Sequence, residues 1–171
     1  IGNLSVLPFS KSHDAADPHS FMISGHGVNI GIITDIGYAC KQVIKYFRQC
    51  HAVFLESNYC TDMLADGHYP YHLKQRISGD EGHLSNAQAL DLFMNFKSPD
   101  LQLLILSHLS KNNNKPELVQ KLFAPHAGST KIIIASRYEP TPVFHIQSGA
   151  VMLPFQPKQK NQPTAAFLWA V

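Results

Sequence analysis

Short, unbroken apolar runs alternate with amphipathic stretches along most of this chain. The runs Ile30 to Ile33, His51 to Glu56 and Leu101 to Leu106 have the pattern of buried β-strands. After Gly37, apolar residues at helical spacing predict a helix that ends near Cys50, between the first two of these strands. The order strand, helix, strand predicts a parallel pair joined by a right-handed crossover, and therefore an α/β fold.

Weaker patterns predict additional strands on both sides of this unit. Asn3 to Phe9 alternates as a strand, and the runs Phe21 to Ser24 and Val28 to Thr34 are separated by a short glycine-bearing connection typical of a hairpin. Lys131 to Ala135 and Val143 to Ile146 predict two more strands, paired across the turn RYEPTP.

Helical patterns fill the remaining connections. Between Tyr59 and Ser78 we expect short helical pieces broken by Gly67 and Pro70, then a helix with Ser85 as its N-cap. A last helix begins at Pro116, a residue favoured in the first turn. The predicted buried residues of these last two helices are Leu90, Phe93, Met94 and Leu118, Val119, Leu122.

Composition describes one globular domain with no membrane segment. The chain has 171 residues, 44% of them hydrophobic, which is enough for one core. No apolar run approaches the ~20 residues needed to cross a bilayer, so we expect a cytoplasmic protein. Three cysteines without a CxxC pair indicate free, buried or half-buried thiols. We expect the domain to span residues 1–146, followed by a loosely ordered tail over residues 147–171.

Ten histidines stand out against a modest net charge of +2, and several follow strands. Asp35, Glu56 and His108 each lie where a buried strand ends, and His13 follows the first strand. Carboxyl ends of parallel strands share one edge of a sheet, so these residues are expected to converge. Two imidazoles and a carboxylate suit zinc, manganese or iron. His83, in a loop near the same edge, is placed to donate or accept a proton.

The same residues have an ordinary interpretation that the pattern leaves open. Asp is a favoured cap, so Asp35 is also explained as the cap of a helix beginning near Tyr38. Histidines are more often exposed or hydrogen-bonded than metal-bound. We give that interpretation to His19, His26, His51, His68, His72, His126 and His145, with His68 and His72 flanking a loop that lies near the predicted site.

An ordered series of strings resembles the second half of metallo-β-lactamase-fold hydrolases. The strings are SHDAADP (12–18), TDIGYAC (34–40), LESNY (55–59), PYHLKQRISGDEGHLSN (70–86), LSHLSKNNNKPE (106–117) and SRYEPTPVF (136–144). Together they are similar to the YycJ-type branch, which is related to tRNA 3′-end endonucleases and described as exonuclease-like. The resemblance extends over roughly residues 4–146.

This resemblance implies a dinuclear metal site with assigned residues. His13, Asp35 and His108 match metal ligands, with Asp35 bridging two divalent ions. The expected metal is zinc, with manganese and iron as the alternatives. His83 matches the histidine that contacts the scissile phosphate or assists proton transfer, and Glu56 lies where relatives carry an acidic residue near the site. Two metal ions about 3.5 to 4 Å apart would activate a water for phosphodiester hydrolysis. The implied substrate is nucleic acid.

One departure from the family pattern concerns the missing first half. The motif HxHxDH is absent from this sequence. The chain is therefore expected to be the C-terminal half of an αββα sandwich, a mixed sheet with helices on its outer face, whether truncated, proteolysed or encoded as a fragment. It would require the N-terminal half of the fold to complete the site, have little activity alone, and form homo-oligomers or aggregates through its uncovered sheet.

Two alternatives to a nuclease remain at this stage. One is a non-catalytic interaction module that uses the sheet edge and binds no metal. The other keeps the metal chemistry and changes the substrate to a small ester, lactam or thioester. Candidate phosphate contacts are Lys41, Lys45, Lys74 and Arg76, although such residues usually form a solvated face.

Overall fold

The computed structural model describes residues 2–148, which build one six-stranded mixed sheet and five α-helices. The strands are β1 (Ser5–Ser10), β2 (His19–Gly25), β3 (Val28–Ile33), β4 (Ala52–Glu56), β5 (Leu103–Ser107) and β6 (Lys131–Ile134). The helices are α1 (Lys41–Phe47), α2 (Thr61–Asp66), α3 (Tyr71–Ser78), α4 (Asn86–Phe96) and α5 (Pro116–Phe123), and a 3-10 turn, Ala124–His126, follows α5.

Strand order in the sheet follows the chain, β1-β2-β3-β4-β5-β6. The first three strands pair antiparallel, so the predicted hairpin is confirmed as β2 and β3. From β3 to β6 every pair is parallel, with a helical segment in each connection. The predicted α/β class, with a mixed sheet, is therefore confirmed.

The main core lies between one face of the sheet and the helices. Alternate strand residues point to this face, since successive side chains of a strand point to opposite sides. The register aligns Ile33 with Leu55 and Leu55 with Leu106 across three strands. Their helical partners include Val43, Phe47, Leu92, Phe93, Val119 and Phe123, all buried in the same cluster.

The opposite face of the sheet is also apolar but has little cover. In register across it lie Val6, Ile23, Ile30, Ala52, Leu103, and in a second row Pro8, Phe21, Ile32, Phe54, Ile105, Ile133. Near β1 this face is open, with Val6 49% and Phe21 40% exposed. The predicted placement of helices on only one face is thus borne out, and we call the other the open face.

The predicted strand Val143 to Ile146 is wrong. That segment is irregular, and it packs Phe144 and Ile146 against Ala52, Leu103 and Ile105 on the open face. Two prolines precede the segment, at positions 140 and 142, and proline lacks the N–H that a strand pair needs. A hydrogen bond from Gln102 Nε2 to the Gln147 carbonyl, 2.6 Å long, fixes its end.

Two predicted core residues are also wrong, because the buried stripe of each helix has a different phase. Met94 is 51% exposed and Leu118 is 39% exposed. Phe93 in α4 and Val119 in α5 are buried as predicted, and the other buried apolar residues of these helices are Ala89, Leu92 and Phe123. These sets follow the i, i+3, i+4 spacing of one helix face.

The predicted N-cap of α4 and the predicted free cysteines are confirmed. Ser85 caps α4, and its hydroxyl and the Gln88 side chain form a reciprocal capping box. All three cysteines are free, and burial raises the pKa of the Cys50 thiol to about 12. Within residues 2–148 no helix is long and apolar enough to cross a bilayer. Residues 149–171, nearly all of the predicted tail, lie outside the described residues.

Candidate metal centre

The candidate site lies at the carboxyl edge of the parallel strands. Glu56 is the last residue of β4 and pairs in register with Ser107, which directly precedes His108. Asp35 follows β3 by two residues, at the same edge. Strand order therefore brings together three residues that are far apart in sequence, as the polar ends of the apolar runs predicted.

Five of the predicted side chains meet there. Asp35, Glu56, His83 and His108 each offer an atom that lies within 4.8 Å of the others, a spacing compatible with a metal ion. The His13 ring lies beside them, with its centroid 5.1 Å from that of His83, which is 5.2 Å from that of His108. We call these five residues the rim cluster.

The backbone has an unusual conformation at two members of the rim cluster. Asp35 has φ 54° and His108 has φ 58°, in the left-handed region that non-glycine residues seldom adopt. The helix-cap interpretation of Asp35 is wrong, because α1 begins at Lys41 with Cys40 at its N-cap position. Asp35 thus turns into the site instead of toward a helix.

Glu56 is the buried centre of the cluster. Its side chain is 0% exposed, and Oε1 accepts hydrogen bonds from Nδ1 of His83 at 2.8 Å and Nδ1 of His108 at 2.7 Å. Oε2 accepts from the backbone N–H of Ile36 at 2.8 Å and of Leu84 at 3.4 Å. Burial raises the pKa of Glu56, but the hydrogen bonds from His108 and His83 outweigh it and leave the pKa below its usual value. The carboxylate is therefore ionised.

The three histidines of the cluster share one orientation. His83 and His108 donate Nδ1–H to the Glu56 carboxylate, and His13 donates Nδ1–H to the Gly82 carbonyl at 2.9 Å, since neither oxygen can donate. In the neutral imidazoles Nε2 then carries the lone pair. The hydrogen bond to Glu56 raises the pKa of His108 above its usual value.

The donor set fits a divalent transition metal. Nε2 of His108 lies 3.5 Å from Asp35 Oδ1, and Nε2 of His13 lies 3.8 Å from the same oxygen. Two ligands about 2.1 Å from one tetrahedral ion are roughly 3.4 Å apart, which is close to these separations. Metal-binding histidines almost always donate their other N–H to a carboxylate or a carbonyl, as these do.

Neighbouring residues that the sequence reasoning missed support the cluster. Lys11 donates from Nζ to the Thr34 carbonyl at 2.7 Å, and burial lowers the pKa of Lys11 against the attraction of Asp35 and Glu56. Asp14 pairs with Nε of Arg76 at 2.5 Å, and this bond holds the pKa of Asp14 below its usual value. Both residues flank His13, which was the only signal available.

A cavity of about 200 Å³ opens beside His83 and is lined by Asp14, Leu73, Arg76, Ile77, Gly82 and His83. Among residues 2–148 the group of possible metal ligands consists of Asp35, Glu56, His83 and His108, so His68 and His72, which were assigned no role, are outside it, and His13 lies beside it. The space next to the rim cluster is therefore bordered by α3 and its arginine.

Comparison with known proteins gives relatives and a fold. No family model matches the chain. It is 33% identical over 120 residues to exodeoxyribonuclease YycJ of Bacillus anthracis, covering 70% of the chain and 46% of that protein. It is 31% identical over 118 residues to exodeoxyribonuclease WalJ of Streptococcus pneumoniae, covering 69% of the chain and 44% of that protein. The chain thus spans less than half the length of these relatives.

Two solved structures share the fold at low sequence identity. The metallo-β-lactamase-fold protein YhfI of Bacillus subtilis is 16% identical with a TM-score of 0.58, covering 79% of this chain and 48% of that one. Zn²⁺-bound PqqB of Methylobacterium extorquens is 14% identical with a TM-score of 0.53, covering 79% of this chain and 49% of that one. The chain therefore shares the metallo-β-lactamase fold over about half the length of these solved structures, and it is a homologue of the YycJ and WalJ proteins.

Proposed function

We propose that this chain supplies the second half of a dinuclear metal site in an exonuclease-like phosphodiesterase that acts on DNA. The observation that carries the proposal is the convergence of imidazole Nε2 atoms on Asp35 Oδ1, at 3.5 and 3.8 Å. Its substrate class follows from the names of the two relatives, both exodeoxyribonucleases. The proposed metal ligands are His13, Asp35 and His108.

Two bound divalent ions, zinc before manganese or iron, would supply an activated water and offset negative charge developing on the phosphate. The chain's own residues have separate tasks around them. His83 is fixed through Nδ1, so its Nε2 is the atom that can take up a proton and then, from the imidazolium, deliver it to the leaving oxygen. Glu56, whose oxygens are all engaged by donors within the chain, acts by positioning His83 and His108.

Completion of the site requires additional ligands, because three are shared between two ions. Structural zinc alone takes four protein ligands, and a catalytic zinc normally takes three. We infer that a further segment of the same fold, the N-terminal half, packs on the open face and contributes them. Apolar surface such as Val6 and Phe21, 49% and 40% exposed, supports this, since contiguous apolar patches mark interaction sites.

The matching test of that inference uses the 171-residue chain alone. It should dimerise or aggregate by size-exclusion chromatography, and co-expression with the remaining segment of its parent should restore a soluble 1:1 species. A well-behaved, cooperatively unfolding monomer would show that the open face needs no cover.

Nuclease activity is best tested on the intact protein that contains this chain. Hydrolysis of single- and double-stranded DNA should fall by at least about 100-fold in Asp35→Ala and His83→Ala. His126→Ala, an exposed histidine outside the rim cluster, is the matched control and should retain full activity. Unchanged cleavage by either rim variant would remove the assigned roles.

Metal content separates this proposal from a non-catalytic interaction module. The intact protein should copurify with close to two equivalents of zinc, manganese or iron by mass spectrometry, and Asp35→Ala should lose metal. Purified protein that takes up no divalent ion would favour the module. Metal-loaded protein that spares DNA yet hydrolyses a small ester or thioester would change the substrate class and keep the site.

A further inference from the structure

A buried network of three asparagines and one serine is hydrogen-bonded to the backbone of the rim cluster at His108. Ser57, Asn58, Asn86 and Asn114 are all buried, with Asn58 the most exposed at 8%. They come from the loop after β4, the first residue of α4 and the segment before α5. Buried amides are stabilising only when their donors and acceptors are paired, and here they are.

Asn86 and Asn114 form the base of the network. Asn86 Nδ2 donates to Asn114 Oδ1 at 2.9 Å, and Asn114 Nδ2 donates back to Asn86 Oδ1 at 2.8 Å. Asn86 Oδ1 also accepts a hydrogen bond from the Ser57 hydroxyl at 2.7 Å. This reciprocal pair joins the start of α4 to the start of α5.

The backbone of Asn58 connects the loops that carry the site. Its N–H donates to the Leu84 carbonyl at 2.8 Å, next to His83. Its carbonyl accepts from the Ser110 N–H at 2.8 Å and from Asn114 Nδ2 at 3.0 Å. Three hydrogen bonds therefore fix the backbone of Asn58, and with it the position from which the side chain extends.

That side chain contacts a proposed metal ligand through the ligand's backbone. Asn58 Nδ2 donates to the His108 carbonyl at 2.8 Å, and His108 has the left-handed φ of 58°. A left-handed L-residue lies about 1–2 kcal/mol above its ordinary conformations, so it persists only where surrounding contacts enforce it. Relaxation of φ would swing the imidazole away from Asp35.

We propose that Asn58 is a positioning residue for the metal site, whose amide holds His108 in the left-handed conformation that directs Nε2 toward Asp35. Asn114 and Asn86 keep Asn58 in place. The inference rests on the proposed function, because it assigns Asn58 a task only if His108 binds metal. It concerns a residue two positions beyond Glu56 whose side-chain amide donates to the backbone of a rim residue.

The test measures metal affinity and stability separately in the intact protein. Zn²⁺ and Co²⁺ dissociation constants come from competition with a chromophoric chelator, and the Co²⁺ absorption spectrum reports coordination geometry. Asn58→Ala should weaken metal binding by about 10- to 100-fold, the range seen when supporting hydrogen bonds of metal ligands are removed. Asn58→Asp, nearly the same size, should have a similar effect because a carboxylate cannot donate to a carbonyl.

Thr130→Val is the matched control. Thr130 is also buried and donates from Oγ1 to the Leu101 carbonyl at 2.9 Å, at the opposite end of β5 from the site. The Thr130→Val substitution removes one buried hydrogen bond from a side chain to a backbone carbonyl, as Asn58→Ala does. Its unfolding temperature should fall with and without metal by the same amount, and its metal affinity should stay at the wild-type value.

A positioning role predicts a smaller metal-induced rise in unfolding temperature for the Asn58 variants than for wild type, since that rise follows affinity. A purely structural role predicts equal falls with and without metal, and that result would overturn the inference. If Asn58→Ala does not fold, Asn58→Asp decides by the same measurements. Failure of the wild-type protein to bind metal would instead reject the proposed function itself.

Discussion

Replacing Glu56 by glutamine should damage the metal site while leaving the size of the side chain unchanged. The carboxylate accepts from two imidazoles at Oε1, at 2.7 and 2.8 Å, and from two backbone N–H groups at Oε2, at 2.8 and 3.4 Å. An amide has one acceptor oxygen and one donor group. Either orientation therefore sets an NH₂ group against buried donors.

The magnitude follows from counting the donors left unpaired. With its oxygen toward the histidines, glutamine leaves the Ile36 N–H without its 2.8 Å partner, and an unsatisfied buried donor reduces stability by about 1–3 kcal/mol. With its NH₂ toward them, both imidazoles must move their proton to Nε2, which removes the lone pairs available to a metal. We expect a loss of about 2 kcal/mol in the free energy of unfolding and a 10- to 100-fold loss of metal affinity.

Urea unfolding of metal-free intact protein measures the first effect, and chelator competition measures the second. Glu117→Gln makes the same chemical change at an exposed position in the first turn of α5. This control should change stability by less than about 0.5 kcal/mol and leave metal affinity unaltered. Wild-type metal affinity in Glu56→Gln would refute the argument that this carboxylate orients the histidines.

Three further predictions test the surroundings of the site. In metal-free protein the raised pKa of His108 makes its full contribution to stability at pH values below the usual histidine pKa of 6.5, and that contribution is lost as pH rises through the raised pKa. The lowered pKa of Glu56 stabilises the fold at pH values above the group's usual pKa of 4.5, and that contribution is lost as pH falls through the lowered pKa. In urea titrations the combined contribution of Glu56 and His108 to the free energy of unfolding should therefore be largest between about pH 4.5 and pH 6.5. Ser20→Ala should be neutral or stabilising in thermal unfolding, because within residues 2–148 the buried Ser20 hydroxyl has no hydrogen-bond partner. Gly37→Ala should destabilise by about 1–3 kcal/mol, since its Cβ would fall 2.0 Å from the Asp80 carbonyl oxygen, and an unchanged unfolding temperature would contradict this.

The sequence contained enough information to predict the edge of the sheet but not how its residues are used. Asp35, Glu56 and His108 follow three apolar runs, and parallel pairing brings such positions together whatever the side chains are. The two imidazoles that contact Glu56 come from 27 and 52 residues away. Their orientation depends on tertiary packing, which no local pattern encodes.

The errors in the fold have a similar origin. The segment from Val143 to Ile146 is mainly apolar, and its Phe144 and Ile146 side chains pack on the open face. An apolar pattern alone does not show whether a segment packs on the face of a sheet or joins the sheet as a hydrogen-bonded strand. Met94 lies one position past the buried Phe93, so a small error in the phase of the helix was enough to assign Met94 to the core, although it is exposed. In both places the apolar character was interpreted correctly and the geometry was not.

The rim cluster has features that a purely structural role would not require. A fully buried carboxylate that contacts two imidazoles is expensive to desolvate, and well-packed apolar residues of similar volume often stabilise a fold at least as well as a buried ion pair. Asp35 and His108 also adopt φ values of 54° and 58°, which glycine would adopt without strain. Backbone strain and a buried charge concentrated at one sheet edge are typical of functional sites. These features support the proposed metal centre over an interaction module, because a binding surface needs neither a buried Glu56 nor histidines fixed through Nδ1.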